Sequence, residues 1–125
     1  MSTEKIEANK ELVRRFYREV PYGPGGNLDV IDELLAEDYK QHNPEAGQGR
    51  EGVKHFFTNV IPVPLTGDLA GEQDVTLIAE GDMVVRQEVR HNGMLIDIFR
   101  IEDGKLAEHW DAWRPAAGYE RPPSF

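Results

Sequence analysis

Apolar residues recur along this chain with two different periods. Between Ile6 and Val20 they fall at helical spacing: Ile6, Val13, Phe16, Tyr17 and Val20 form one stripe among charged neighbours. Ser2 or Thr3 can cap that helix, and the Gly/Pro-dense stretch Pro21-Tyr22-Gly23-Pro24-Gly25-Gly26 ends it as a loop and candidate pocket rim. Asn27 is placed to cap a shorter helix whose buried side is Leu28, Ile31, Leu34 and Leu35. Asp38–Pro44 reads as a short extended piece stopped by Pro44. Glu45–Gly49 reads as a loop, and Arg50–Val60 as a third helix with Val53, Phe56 and Phe57 inward. Ile61-Pro62-Val63-Pro64 is no central strand, because each proline removes a ladder donor.

From Asp74 the period changes to two. Val75–Ala79 and Met83–Arg90 read as strands about a turn at Glu80-Gly81-Asp82. Asn92-Gly93 is a hairpin turn, and Met94–Arg114 forms a further hairpin about Asp103-Gly104. Arg86, Glu88 and Arg90 alternate along one strand and read as a solvated face or an inter-subunit charge ladder. Helices followed by a four-stranded antiparallel meander predict an α+β fold, with residues 6–114 as its core and residues 115–125 as an irregular tail.

The last hairpin carries Asp97, His109 and Asp111 with Trp110 and Trp113 among them, so its register decides whether these groups meet. A two-residue turn pairs Ile101 with Leu106 and Asp97 with Trp110, which separates Asp97 from Asp111. A three-residue loop with Gly104 in a bulge pairs Asp97 with His109. It puts Asp97, His109 and Asp111 on one face with Leu95, Phe99 and Ala107, and leaves Ile96, Ile98, Trp110 and Leu106 on the other. The bulged register is favoured, because it gathers the polar groups into one site.

Composition narrows the function. The 125 residues suit one domain spanning 1–125. With no cysteine there is no disulfide framework and no thiolate chemistry. A net charge of −9 argues against a nucleic-acid partner. No apolar run is long enough to span a bilayer, and the charged start MSTEKIEANKEL is no signal peptide, so a soluble cytoplasmic protein is expected, with no membrane partner. Four scattered histidines, no HExxH and no phosphate-binding Gly-rich loop predict no metal and no cofactor. His109-x-Asp111 with Asp97 is the one set whose chemistry could hold a hard or borderline divalent ion.

Asp111 is the candidate general base. Desolvated beside Trp113 and Phe99, it would be suited to take a proton from carbon next to a carbonyl and return it to an alkoxide. His109, opposite Asp97, would polarise a substrate carbonyl; a structural Asp–His pair pinning the hairpin is the equal alternative. His42 is placed at the pocket mouth. Tyr17, Tyr39, Phe56, Phe99, Met94 and Trp113 are candidate substrate contacts, although most such groups serve as ordinary core.

Tyr39-Lys40-Gln41-His42-Asn43-Pro44, the strand Asp97-Ile98-Phe99-Arg100, and Asp103-Gly104-Lys105 followed by Glu108-His109-Trp110-Asp111 together resemble the SnoaL-like polyketide cyclases, within the nuclear transport factor 2-like superfamily. The resemblance implies a cone-shaped barrel, in which a strongly curved antiparallel sheet and three N-terminal helices enclose a pocket. It also implies a homodimer packed through sheet faces. The family's acid/base aspartate falls at Asp111, and the residue opposite it at Asp97, where some cyclases carry histidine. The implied function is cofactor-free general acid/base chemistry, aldol cyclisation or isomerisation, on a small hydrophobic carbonyl or polyketide-type molecule. Two alternatives are a non-catalytic binding or dimerisation module, and an epoxide hydrolase or dehydratase using an Asp–Arg–Asp arrangement.

Overall fold

Ser2 opens the first helix, α1 (Thr3–Glu19), by accepting a hydrogen bond from the Lys5 N–H at 3.1 Å. The structure, a computed structural model, describes residues 2–23, 26–67 and 70–119. Val13, Phe16 and Tyr17 are buried along one side of α1, and Val20 beyond its end, as the helical spacing predicts. The second helix is shorter than expected. A 3-10 turn at Leu28–Val30 leads into one turn, α2 (Ile31–Leu34), and the Asn27 side chain makes no capping bond. A third helix, α3 (Gly49–His55), widens into a π turn over Phe56–Val60. Both Phe56 and Phe57 are buried there, facing the sheet.

The sheet has five strands, one more than the predicted meander. They are β1 (Leu35–Gln41), β2 (Asp74–Glu80), β3 (Met83–Arg90), β4 (Gly93–Glu102) and β5 (Lys105–Pro115), in the order β1-β5-β4-β3-β2. β1 runs parallel to β5, with Gln41 beside His109, while the other neighbours are antiparallel. The sheet is therefore mixed rather than wholly antiparallel. It is open, with edges at β1 and β2, rather than closed into a barrel. β1 overlaps the extended piece expected at Asp38–Pro44 but begins at Leu35, which falls in the expected helical stripe; only Leu35 and Tyr39 in it are buried, too few to show a period. No described helix is long and apolar enough to cross a membrane. The predicted tail begins where β5 ends; the Ala116 N–H bonds Asn92 O at 2.9 Å, and residues 120–125 lie outside the described residues.

Neither predicted register of the last hairpin is observed. Asp103 (φ 52°) and Gly104 (φ 73°) form a tight two-residue turn that pairs Glu102 with Lys105 and Ile101 with Leu106. The register then jumps, and Arg100 pairs with Glu108. Ala107 is the extra residue, a bulge inside β5 rather than at Gly104. Leu106 and Ala107 are consequently both buried, so Leu106 joins the core instead of the outer face. The other hairpin turn also sits one residue early, at His91-Asn92, with Gly93 already paired to Arg90. A Cβ on Gly93 would lie 2.5 Å from Arg114 O, so only glycine lets these strands approach here.

β3 is turned over relative to expectation. Val84, Arg86, Glu88 and Arg90 face the interior, and Met83, Val85 and Val89 face outward. The charges are tolerable inside because they satisfy one another. Glu88 accepts from Arg90 at 2.8 Å, Arg86 at 3.3 Å, the Tyr22 hydroxyl at 3.0 Å and the Gln73 N–H at 2.9 Å. Arg86 also pairs with Glu72 and lies 3.8 Å over the Tyr17 ring. Burial, and then the Glu88 charge, push the Tyr22 hydroxyl up to about 12.

Burial opposes ionisation of Glu88, but the bonds from Arg90 and the Gln73 N–H, together with the charges of Arg90 and Arg86, outweigh it. The Glu88 carboxyl is thereby held below its ordinary 4.5. Its contribution to stability is present above the unfolded value and lost as pH falls through the folded one. Glu88→Gln should lower stability at neutral pH by about 3–5 kcal/mol, since it takes a shared carboxylate from two buried arginines, and should reduce the acid dependence. Urea denaturation of both proteins from neutral to acid pH measures this; equal acid slopes would contradict it.

Candidate active site

Two rows of side chains cross the inner face of the sheet. One runs Leu77, Arg86, Asp97, Asp111 from β2 to β5. The next runs Ala79, Val84, Phe99, His109, Gln41 from β2 to β1. Asp97 and Asp111 are thus directly opposite each other, and His109 is diagonal to Asp97. Its Nε2 lies 2.8 Å from Asp97 Oδ1, and its Nδ1 lies 2.7 Å from Gln41 Oε1. Asp97 Oδ2 is buried without a well-formed hydrogen bond.

These groups floor a cavity of about 410 Å³, counting its open mouth. The part of it that admits a water-sized sphere is about 30 Å³, well below the roughly 300–1,000 Å³ of small-molecule sites. The cavity is polar along the sheet and apolar under the helices. Phe16 and Tyr17 reach it from α1, Tyr39 and Gln41 from β1, and Val53, Phe56 and Phe57 from α3 and its π turn. Phe16 stands 6.2 Å from both Phe57 and Phe99, and Phe56 packs edge-on to Phe57 at 5.1 Å. Burial first, then the charge of Asp97, raises the Tyr17 hydroxyl well above its ordinary 10.0. Burial, Asp97 and Asp111 do the same for Tyr39. Both phenols are therefore held as hydrogen-bond donors.

Asp97, His109 and Asp111 offer ligand atoms within 4.8 Å of one another, a spacing a divalent ion could use. Both ring nitrogens of His109 are already engaged, however, so an ion taking the imidazole would have to displace Asp97 or Gln41.

Residues 13–109 match the SnoaL-like domain family. The chain belongs to that family. No curated protein matches it. Among solved structures, a SnoaL-like polyketide cyclase candidate from Jannaschia sp. CCS1 is similar at 19% identity, with 90% of each chain covered and a TM-score of 0.67. A polyketide cyclase candidate from Bacillus cereus is similar at 21% identity, covering 90% of this chain and 78% of that one, with a TM-score of 0.64. TsrD from Streptomyces laurentii is similar at 24% identity, with 90% of each chain covered and a TM-score of 0.56. At these identities the likeness is one of fold.

In this SnoaL-like domain, Asp97, His109, Asp111, Tyr17, Tyr39, Phe56 and Phe99 all line the cavity. Three residues named from the sequence lie elsewhere. His42 sits on the outer face, stacked on Trp110 at 4.9 Å with Nε2 2.7 Å from Glu108. Met94 belongs to the outward-facing positions of β4. Trp113 packs beneath the Arg90 guanidinium, 5.6 Å away, outside the cavity lining. Gln41, Phe16 and Asn43 also belong to the cavity and were not among the site residues expected from the sequence. Asn43 forms an Asx turn as well, with the Glu45 N–H donating to Asn43 Oδ1 at 2.9 Å. Gln41 carries no sequence signal of its own, since its partner is set by the parallel β1–β5 pairing.

The raised phenols have a measurable consequence. A phenol harder to ionise when folded loses its share of stability as pH rises past its unfolded value, about 10. Tyr17 and Tyr39 should give no tyrosinate absorbance until the SnoaL-like domain unfolds in alkali. Tyr17→Phe and Tyr39→Phe should each leave the earlier part of an alkaline titration unchanged. Loss of early absorbance in either variant would show that phenol to be accessible.

Proposed function

We propose that this SnoaL-like domain is a cofactor-free enzyme that moves protons on a small hydrophobic carbonyl or polyketide-type molecule, closing a ring by aldol chemistry or isomerising it. The observation that carries the reading is the pairing of Asp97 and Asp111 across β4 and β5, on the floor of an aromatic cavity that also holds two protonated phenols. Asp111 takes the proton from carbon next to a carbonyl, and Tyr17 or Tyr39 donates a hydrogen bond to the enolate oxygen that develops. In cyclisation the enolate carbon bonds to a second carbonyl carbon, and Asp111 returns its proton to the new alkoxide. In isomerisation the proton returns to a different carbon. Asp97 is bonded to His109 Nε2, and Asp111, opposite it, is the base in this reading.

Asp111→Asn should slow this chemistry by roughly 10²–10⁴-fold without disturbing the fold. Exchange of α-hydrogens of an aromatic 1,3-diketone into deuterated water, followed by NMR, measures it without knowledge of the natural substrate. Exchange that proceeds equally in wild type and Asp111→Asn would remove Asp111 from the mechanism.

A binding module without catalysis is favoured by the engagement of both His109 nitrogens by protein groups and by the narrowness of the cavity. It predicts co-purified ligand in native mass spectra with no exchange activity. Water-activating chemistry through Asp–Arg–Asp is less well supported. The Arg86 guanidinium is bonded to Glu72 and Glu88, not held between Asp97 and Asp111.

We also propose that the outer sheet face packs on a second copy of the chain. Ile78, Val85, Ile98 and Trp110 form an unbroken row across four strands, and Ile78 is 59% exposed. Ile98→Lys should convert a dimer to a monomer by light scattering. A wild-type chain that is already monomeric would end the idea.

A further inference from the structure

We propose that Gln41 is the positioning residue of the cavity: it holds His109 with a proton on Nδ1, so that the ring's other nitrogen exchanges its proton with Asp97 alone. The inference rests on the proposed site, because it assigns the proton pathway within it.

The orientation of the Gln41 amide is set by the backbone. Its Oε1 accepts from the N–H groups of His42 and Asn43, both at 3.0 Å. Turned over, the amide NH₂ would meet those two donors head-on. The strand beneath it is clamped as well. Gln48 Oε1 accepts from the Gln41 N–H at 3.0 Å, and Gln48 Nε2 donates to Gln41 O at 2.8 Å. The His42 N–H is bifurcated, donating also to His109 O at 3.1 Å, which ties β1 to β5 at this point. The atom 2.7 Å from His109 Nδ1 is therefore an acceptor, and Nδ1 must be the donor.

With Nδ1–H fixed, a single proton remains to be shared along the 2.8 Å contact between Nε2 and Asp97 Oδ1. It sits on Nε2 with Asp97 ionised, or on Asp97 with the ring neutral. Both forms of the pair are electrically neutral, so the proton moves between them without changing the net charge of the cavity floor. The ring then has no nitrogen left for a ligand. Asp97 itself lines the cavity, and its Oδ2 is buried without a well-formed hydrogen bond. His109 acts through Asp97, and the groups that meet a ligand are the two carboxylates, Asp97 and Asp111.

Long-range proton–nitrogen NMR of the ¹⁵N-labelled full chain at neutral pH reads the state of each ring nitrogen. In wild type, His109 Nδ1 should carry the shift of a protonated nitrogen. Gln41→Glu keeps an acceptor in place and should preserve it. Gln41→Met removes the acceptor, and the ring should revert to Nε2–H facing Asp97, with Nδ1 moving to the shift of an unprotonated nitrogen. An unprotonated Nδ1 in wild type or Gln41→Glu overturns the proposal. So does a folded Gln41→Met protein whose Nδ1 stays protonated. If Gln41→Met fails to fold, the wild-type and Gln41→Glu spectra decide alone. The ring spectra need no turnover, so failure of the catalytic reading, seen as unchanged exchange in Asp111→Asn, is distinguishable from failure of this one.

Discussion

Between the Asp103-Gly104 turn and His109, β5 carries one residue more than β4, and that excess at Ala107 sets the facing of every residue beyond it. Side chains alternate strictly along a strand, so a tight turn without a bulge would send Asp97 and Asp111 to opposite sides of the sheet. The turn here is tight, and the bulge restores the alternation. It also buries Leu106 and Ala107 together, which ties the correction to the core. Aromatic wall, phenols and carboxylates come together only because this one residue is accommodated inside the strand.

Charge on the inner face extends beyond the cavity. Arg86 stands beside Asp97 in the same cross-strand row and lies over the ring of Tyr17, which lines the cavity. Its partners Glu72 and Glu88 continue into Arg90 and Tyr22. Each buried charge is acceptable because another satisfies it, and single removals are correspondingly severe. The cavity floor is one end of this polar layer, and the phenylalanines under the helices close it from above. A site so arranged couples its electrostatics to the integrity of the sheet rather than to a mobile loop.

Much of the fold was legible in the chain. Val13, Phe16 and Tyr17 mark α1, Ser2 its start, and the period-two run from Asp74 marks four strands. The grouping of Asp97, His109 and Asp111 was legible too, although by a register that is not the observed one. The alternation of β3 was read with the wrong side inward. Met83, Val85 and Val89 are as apolar as a core face, and a strand with usable residues on both sides does not say which side is covered. Met94 was misplaced for the same reason, since it lies on the outer side of β4, and His42, just beyond the end of β1, stacks on Trp110 on that same outer face.

Local sequence determined the elements and the stock of chemistry: helix stripes, strand periods, turn residues, and two aspartates flanking a histidine on one hairpin. These are properties of neighbours in the chain, and they follow from backbone geometry and side-chain spacing alone. Tertiary structure decided the parallel docking of β1 on β5, the bulge at Ala107, the inward face of β3 and the partnership of Gln41 with His109. Each of these is a contact between segments distant in sequence. Such contacts are selected by which arrangement buries the aromatic residues and satisfies the charges at once, and no local pattern carries that sum.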